Sequence, residues 1–121
     1  MTILPVLDLA RTDVVDQHDP PPWMDDLVRL RDRHCVFPWC ERDSRSCDLD
    51  HINRYDPGTA DDPGPPGQTR PENLAPLCRR HHRTKTARRW SYLRDPDGTY
   101  TWTSPHGHTY QVTPTGSHEV R

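Results

Sequence analysis

The sequence predicts an α+β domain clamped by metal, with a leading helix and a short C-terminal antiparallel sheet. Three observations carry that expectation. Four cysteines and several histidines crowd into residues 35–82 of a 121-residue chain. Only 31% of the residues are hydrophobic, against roughly 45–50% in an average globular protein. Stretches rich in aromatic and β-branched residues gather after residue 90, separated by turn signals. Fourteen prolines and six glycines shorten the regular structure further, so the apolar core must be small and metal ligation is the natural substitute.

The elements follow in chain order. Residues 2–9 (Thr-Ile-Leu-Pro-Val-Leu-Asp-Leu) suggest a short edge strand, because Pro5 cannot donate to a central ladder. Residues 1–22 otherwise read as an extended, irregular and acidic arm that ends in Pro20-Pro21-Pro22. Trp23, Leu27, Leu30 and His34 fall at i, i+4, i+7 and i+11, which predicts an amphipathic helix over about 23–34. Cys35-Val36-Phe37-Pro38-Trp39-Cys40 is a turn bracketed by two thiols. An extended stretch follows over 47–52, then a polar loop rich in proline and glycine over 56–72. A second short strand is expected over 73–77 and a helix from 78 to about 89. The rest reads as strands at 90–93, 100–103 and 108–112, with a turn at Asp95-Pro96-Asp97-Gly98. The domain is thus expected over 23–112, with a metal core at about 35–89 and a β segment at 90–112; residues 113–121 are expected to be a disordered tail.

No run of about 18 apolar residues and no basic-then-apolar start is present, which argues against a membrane span or a secretory signal and for a cytoplasmic protein. In a reducing compartment, cysteines beside histidines are metal ligands more often than disulfides. The net charge of −2 does not by itself mark a nucleic-acid partner, but its distribution does. Residues 1–26 hold six acids and one base, whereas residues 76–94 hold six arginines, one lysine and no acid.

Two ligand sets emerge. Cys78 and His81 are three apart, so on a helix they share a face, and the turn from Cys35 to Cys40 can aim two thiolates at the same point. Three thiolates and an imidazole suit tetrahedral zinc in a structural role. Cys47 is the spare: it is either a small buried hydrophobe or a fourth ligand in place of His81. Adjacent helical residues differ by about 100°, so His82 faces away from the zinc. If it converges with Asp50, one carboxylate and one imidazole form an under-filled site, which is what a catalytic divalent cation requires. His51 is placed to take a proton from water, and the Asn73 side chain to fix the backbone that holds His51. Asp50 and His51 point to opposite faces of a regular strand, so the strand is expected to end or distort there.

The order Asp50-His51, Asn73, His82, spaced His-x21-Asn-x8-His, with Cys35, Cys40, Cys78 and His81 around it, resembles the HNH endonucleases of the zinc-containing ββα-metal type. Residues from about 3 to 112 resemble more closely the HNH domain that ends many members of a large actinobacterial family whose longer N-terminal region is of unknown function. The matching pieces include Leu4-Pro5-Val6-Leu7-Asp8-Leu9, Arg31-Asp32-Arg33, the stretch from Cys35 to Cys40, Asn73-Leu74-Ala75-Pro76-Leu77-Cys78 and Trp102-Thr103-Ser104-Pro105. The resemblance implies that Asp50 and His82 bind a catalytic Mg2+, Mn2+, Ni2+ or Zn2+, that His51 activates water, and that Asn73 is the middle residue of the motif.

Arg83, Lys85 and Arg89 are the expected contacts to DNA phosphates, Lys85 and Arg89 because they share roughly the face of His82. The aromatic residues Trp90, Tyr92, Tyr100, Trp102 and Tyr110 could stack on bases, but packing of the terminal sheet is the stronger expectation, since a chain this poor in aliphatics needs them there. The expected activity is metal-dependent hydrolysis of DNA phosphodiester bonds. The competing expectation is a zinc-stabilised nucleic-acid-binding module that does not cleave.

Overall fold

The computed structural model describes residues 14–120. The expected strand over 2–9 lies outside them. Helix α1 (Pro22–Arg31) begins as the proline run ends, with Pro22 at the first helical position, where a missing N–H costs nothing. Its buried stripe is Met24, Leu27 and Val28, which packs on Leu74 beneath Val15, Trp23 and Leu49. The stripe expected through Leu30 and His34 is therefore corrected, and Leu30 is 51% exposed. The helix also stops three residues early, where Arg31 ties its end to residues 71–74. Its guanidinium donates to the carbonyls of Pro71 at 2.7 Å and Leu74 at 2.6 Å and pairs with Asp32 at 2.7 Å. Asp32 in turn accepts from the Tyr100 hydroxyl at 2.5 Å, so one polar node ties α1 to both sheets.

β1 (Asp48–His51) and β2 (Leu74–Leu77) form an antiparallel hairpin with Asp48 opposite Leu77 and His51 opposite Leu74. All four residues of β2 are buried, as a strand covered on both faces requires. α2 (Arg79–Arg88) follows directly, with Cys78 at its N-cap and Arg89 closing it at φ 58. No residue of α2 is buried. A helix with no apolar stripe cannot dock by hydrophobic burial, so His81 on one side and His82 and Lys85 on the other must hold it.

The remaining strands, β3 (Ser91–Arg94), β4 (Tyr100–Thr103), β5 (Thr109–Thr113) and β6 (Gly116–Val120), make a sheet in sequence order. β6 corrects the expected disordered tail. It pairs with β5 from Thr109↔Val120 to Thr113↔Gly116. Only Val120 in it is β-branched and nearly all of it is exposed, so backbone pairing and the tight turn before Gly116 form it, neither of which hydrophobic patterning reveals.

Alternation sends Tyr100 and Trp102 of β4 inward. Trp102 is fully buried, stacks on Tyr92 with ring centroids 4.0 Å apart, and donates its indole N–H to the Val36 carbonyl at 2.9 Å. Trp90 and Tyr110 lie at the edge of the same cluster. The aromatic residues thus form the core that the aliphatic residues cannot supply, and they join the C-terminal sheet to the cysteine turn. No helix among the described residues is long and apolar enough to cross a membrane.

Candidate metal centre and the adjoining carboxylate–histidine site

The ligand atoms of Cys35, Cys40, Cys78 and His81 all lie within 4.8 Å of one another. Cys78 Sγ is 3.2 Å and Cys35 Sγ 3.7 Å from His81 Nδ1, and the thiols of Cys40 and Cys78 are 4.0 Å apart. Ligands at about 2.0–2.3 Å around a tetrahedral zinc stand roughly 3.5–3.8 Å from each other, so the cluster has the size and donor chemistry to hold such an ion. Local structure explains the convergence. The turn closes through the Cys40 amide donating to the Phe37 carbonyl at 3.1 Å, and Trp39 takes the left-handed conformation at φ 60. Phe37 lies flat on the His81 ring at 4.1 Å and fixes its plane. Cys47 stands outside the cluster, its thiol directed at the Asp43 carbonyl at 3.4 Å within the buried core.

On the opposite side of α2, His82 Nε2 lies 3.2 Å from Asp50 Oδ1. The structure thus brings Asp50 and His82 together, as the sequence suggested. Asp50 Oδ2 is already engaged: Lys85 Nζ and the Tyr92 hydroxyl both donate to it at 2.7 Å. Burial would raise the Asp50 pKa, but the His82 hydrogen bond and the Lys85 charge outweigh it and hold the carboxyl below its usual value. Conversely the bond to Asp50, with help from Asp48, raises His82 above an ordinary imidazole despite burial.

Lys85 requires a correction. Expected at the DNA backbone, it is instead folded inward, with a side chain 14% exposed, and also donates to the carbonyls of His51 at 2.8 Å and Ile52 at 3.3 Å. Sharing the face of His82, it reaches the buried carboxylate before it reaches solvent. Arg83 and Arg89 are exposed.

β1 ends at His51. The His51 ring packs against Thr69, whose Oγ1 is 2.9 Å from Nε2, and against the rings of His18 and Tyr55 at 5.0 and 5.3 Å. Burial, then the neighbouring His18 and Lys85 charges, lower its pKa and favour the neutral imidazole. Asn73 fixes the chain beyond it: its Oδ1 accepts the Asn53 amide at 2.8 Å and its Nδ2 donates to the Gln68 carbonyl at 2.8 Å.

Three participants escaped the sequence reading. Asp48 lies 3.1 Å from His82 Nδ1 and is held by Arg79 at 3.0 Å. Its place two residues before Asp50, on the same strand face, was the available signal. Tyr92 is expected in the core or against a base, not on the Asp50 carboxylate, and Thr69, inside a polar loop, gives no signal at all.

The chain is similar to the uncharacterized protein Rv3776 of Mycobacterium tuberculosis strain H37Rv, at 43% identity over 98 residues covering 78% of this chain and 17% of the relative. It is similar at 42% identity over 98 residues to the uncharacterized protein Rv2100 of the same strain and to MT2160 of strain CDC 1551 of that species, covering 16% of each. The chain thus spans about a sixth of the length of these curated relatives. No family model and no solved structure matches it.

Proposed function

We propose that this chain is a metal-dependent HNH-type endonuclease domain that hydrolyses DNA phosphodiester bonds, with zinc held by Cys35, Cys40, Cys78 and His81. The observation that carries the reading is the division of labour across α2. His81 faces the thiolate cluster while His82, one residue on, meets Asp50 at 3.2 Å beside the strand that bears His51. Asp50 Oδ1 and His82 Nε2 would hold the divalent cation, an oxygen–nitrogen pair that such ions accept. When bound, the ion stabilises negative charge that develops on the phosphate. The chain's own residues do the rest. Asp48 orients His82 through its second ring nitrogen, Lys85 and Tyr92 fix the carboxylate, and neutral His51 accepts the proton of the attacking water. Exposed Arg83 and Arg89 hold the DNA backbone. The mycobacterial relatives support a unit that also occurs within much longer chains.

One observation favours the competing reading, a zinc-stabilised nucleic-acid-binding module: Lys85 already neutralises Asp50 without any added cation. Supercoiled plasmid incubated with the protein and Mg2+, Mn2+, Ni2+ or EDTA separates the two. The nuclease cuts only with a divalent ion and loses that activity in His82→Ala, and His51→Ala lowers the rate by about 10²–10⁴-fold. Ion-independent retardation of DNA without cutting overturns the proposal.

A further inference from the structure

His51 is held by more than its own strand. Its Nε2 meets the Thr69 hydroxyl at 2.9 Å, and that hydroxyl has two other neighbours, the carbonyl oxygens of Gln17 and of His18, the latter at 3.3 Å. Carbonyl oxygens only accept, and a hydroxyl has one proton to give. The proton of Thr69 therefore goes to the arm, to Gln17 by proximity, and its oxygen turns only lone pairs toward His51. The contact is a hydrogen bond only if Nε2 carries the hydrogen.

We infer that Thr69, oriented by the Gln17 carbonyl, is a positioning residue that holds neutral His51 as its Nε2–H tautomer and so leaves Nδ1 as the proton acceptor. The use of that acceptor rests on the nuclease reading, whereas the tautomer itself does not. In the proposed hydrolysis Nδ1 takes a proton from water as the water oxygen bonds to phosphorus. The P–O bond to the leaving strand breaks, and the departing oxygen takes a proton from solvent. The imidazolium then carries a proton on each nitrogen, and its Nε2–H still donates to Thr69, so the ring need not rotate during the step.

The surroundings are built to keep Thr69 in place. It is fully buried, its carbonyl accepts the Val15 amide at 2.9 Å, and the neighbouring Gly67 amide donates to Asp16 at 2.7 Å. Asn73 grips the Gln68 carbonyl just before it. The rings of His18, His51 and Tyr55 form one cluster, with His18 at 5.0 and 4.9 Å from the other two. Among the described residues none makes a hydrogen bond to His51 Nδ1. Residues 15–18 of the arm thus set the direction of one hydroxyl, and that hydroxyl sets which ring nitrogen is basic.

The test uses the full chain with 15N-labelled histidine, and variants Thr69→Val and Thr69→Ser. Long-range 1H–15N spectra at neutral pH are expected to show His51 as the Nε2–H tautomer in the wild type and in Thr69→Ser, and a mixture in Thr69→Val. Plasmid cleavage by Thr69→Val is expected to fall about 10–100-fold in kcat, with KM and zinc content unchanged, and Thr69→Ser is expected to restore it. A wild-type spectrum showing Nδ1–H refutes the inference even if Thr69→Val fails to fold, and so does a folded Thr69→Val with an unchanged tautomer. A wild type with the Nε2–H tautomer and no cleavage supports the positioning role of Thr69 and counts against the nuclease reading alone.

Discussion

Removing the proposed zinc is expected to unfold the domain, and the structure supplies the reason. A 121-residue chain has about 6–18 kcal/mol of net stability at the usual 0.05–0.15 kcal/mol per residue. Structural zinc contributes roughly 10–16 kcal/mol in small finger domains, as much as the whole margin. Nothing here is in reserve. α2 buries no residue, so its attachment near Cys78 depends on His81 and the Phe37 ring stacked on it. Cys35, Cys47 and Cys78 themselves belong to the main core cluster. Cys35→Ala, and the wild type treated with a strong zinc chelator, should each lose the cooperative thermal transition seen by circular dichroism. Cys47→Ala should retain one zinc per chain by mass spectrometry and lose only about 1–2 kcal/mol, since it removes a small buried side chain. A Cys35→Ala protein that keeps its melting transition without zinc refutes the argument. Zinc loss in Cys47→Ala with retention in His81→Ala requires the fourth ligand to be reassigned.

Arg89 closes α2 in a left-handed conformation that glycine adopts without penalty, so Arg89→Gly should gain about 1 kcal/mol, or a few degrees in Tm, measured by thermal melting. The same variant should bind DNA more weakly with a salt dependence lower by about one counterion, a split between stability and affinity that fluorescence anisotropy at several salt concentrations checks. Lys85→Met should act in the opposite way. It leaves a 7%-exposed Asp50 without its cation and is expected to cost about 3 kcal/mol in denaturant melts. A Lys85→Met protein of normal stability that has lost DNA affinity would restore Lys85 as a phosphate contact.

What the sequence disclosed and what it hid follow one physical rule. Side chains whose job depends on near neighbours in the chain were legible. Cys78 at the N-cap and His81 in the first turn of α2 meet by spacing alone, His82 is turned away from them by the 100° step, and the shortage of aliphatic residues calls Tyr100 and Trp102 into the core. Side chains whose job depends on a distant partner were not. The stripe of α1 is Met24, Leu27 and Val28 and not Leu30 because it packs on Leu74, about fifty residues on in the chain, and Arg31 at the helix end donates to the carbonyls of Pro71 and Leu74. β6 is recognisable only by its pairing with β5.

Lys85 shows the rule most clearly. Helical spacing put it correctly on the face of His82, and composition assigned that face to DNA. Yet the same spacing brings it to Asp50, a carboxylate on another element whose burial makes an unpaired charge far more costly than an exposed lysine. The buried acid therefore captures the lysine. Any cation that joins Asp50 and His82 does so at a carboxylate with one oxygen already committed to Lys85 and Tyr92, which leaves Oδ1 as the coordinating atom.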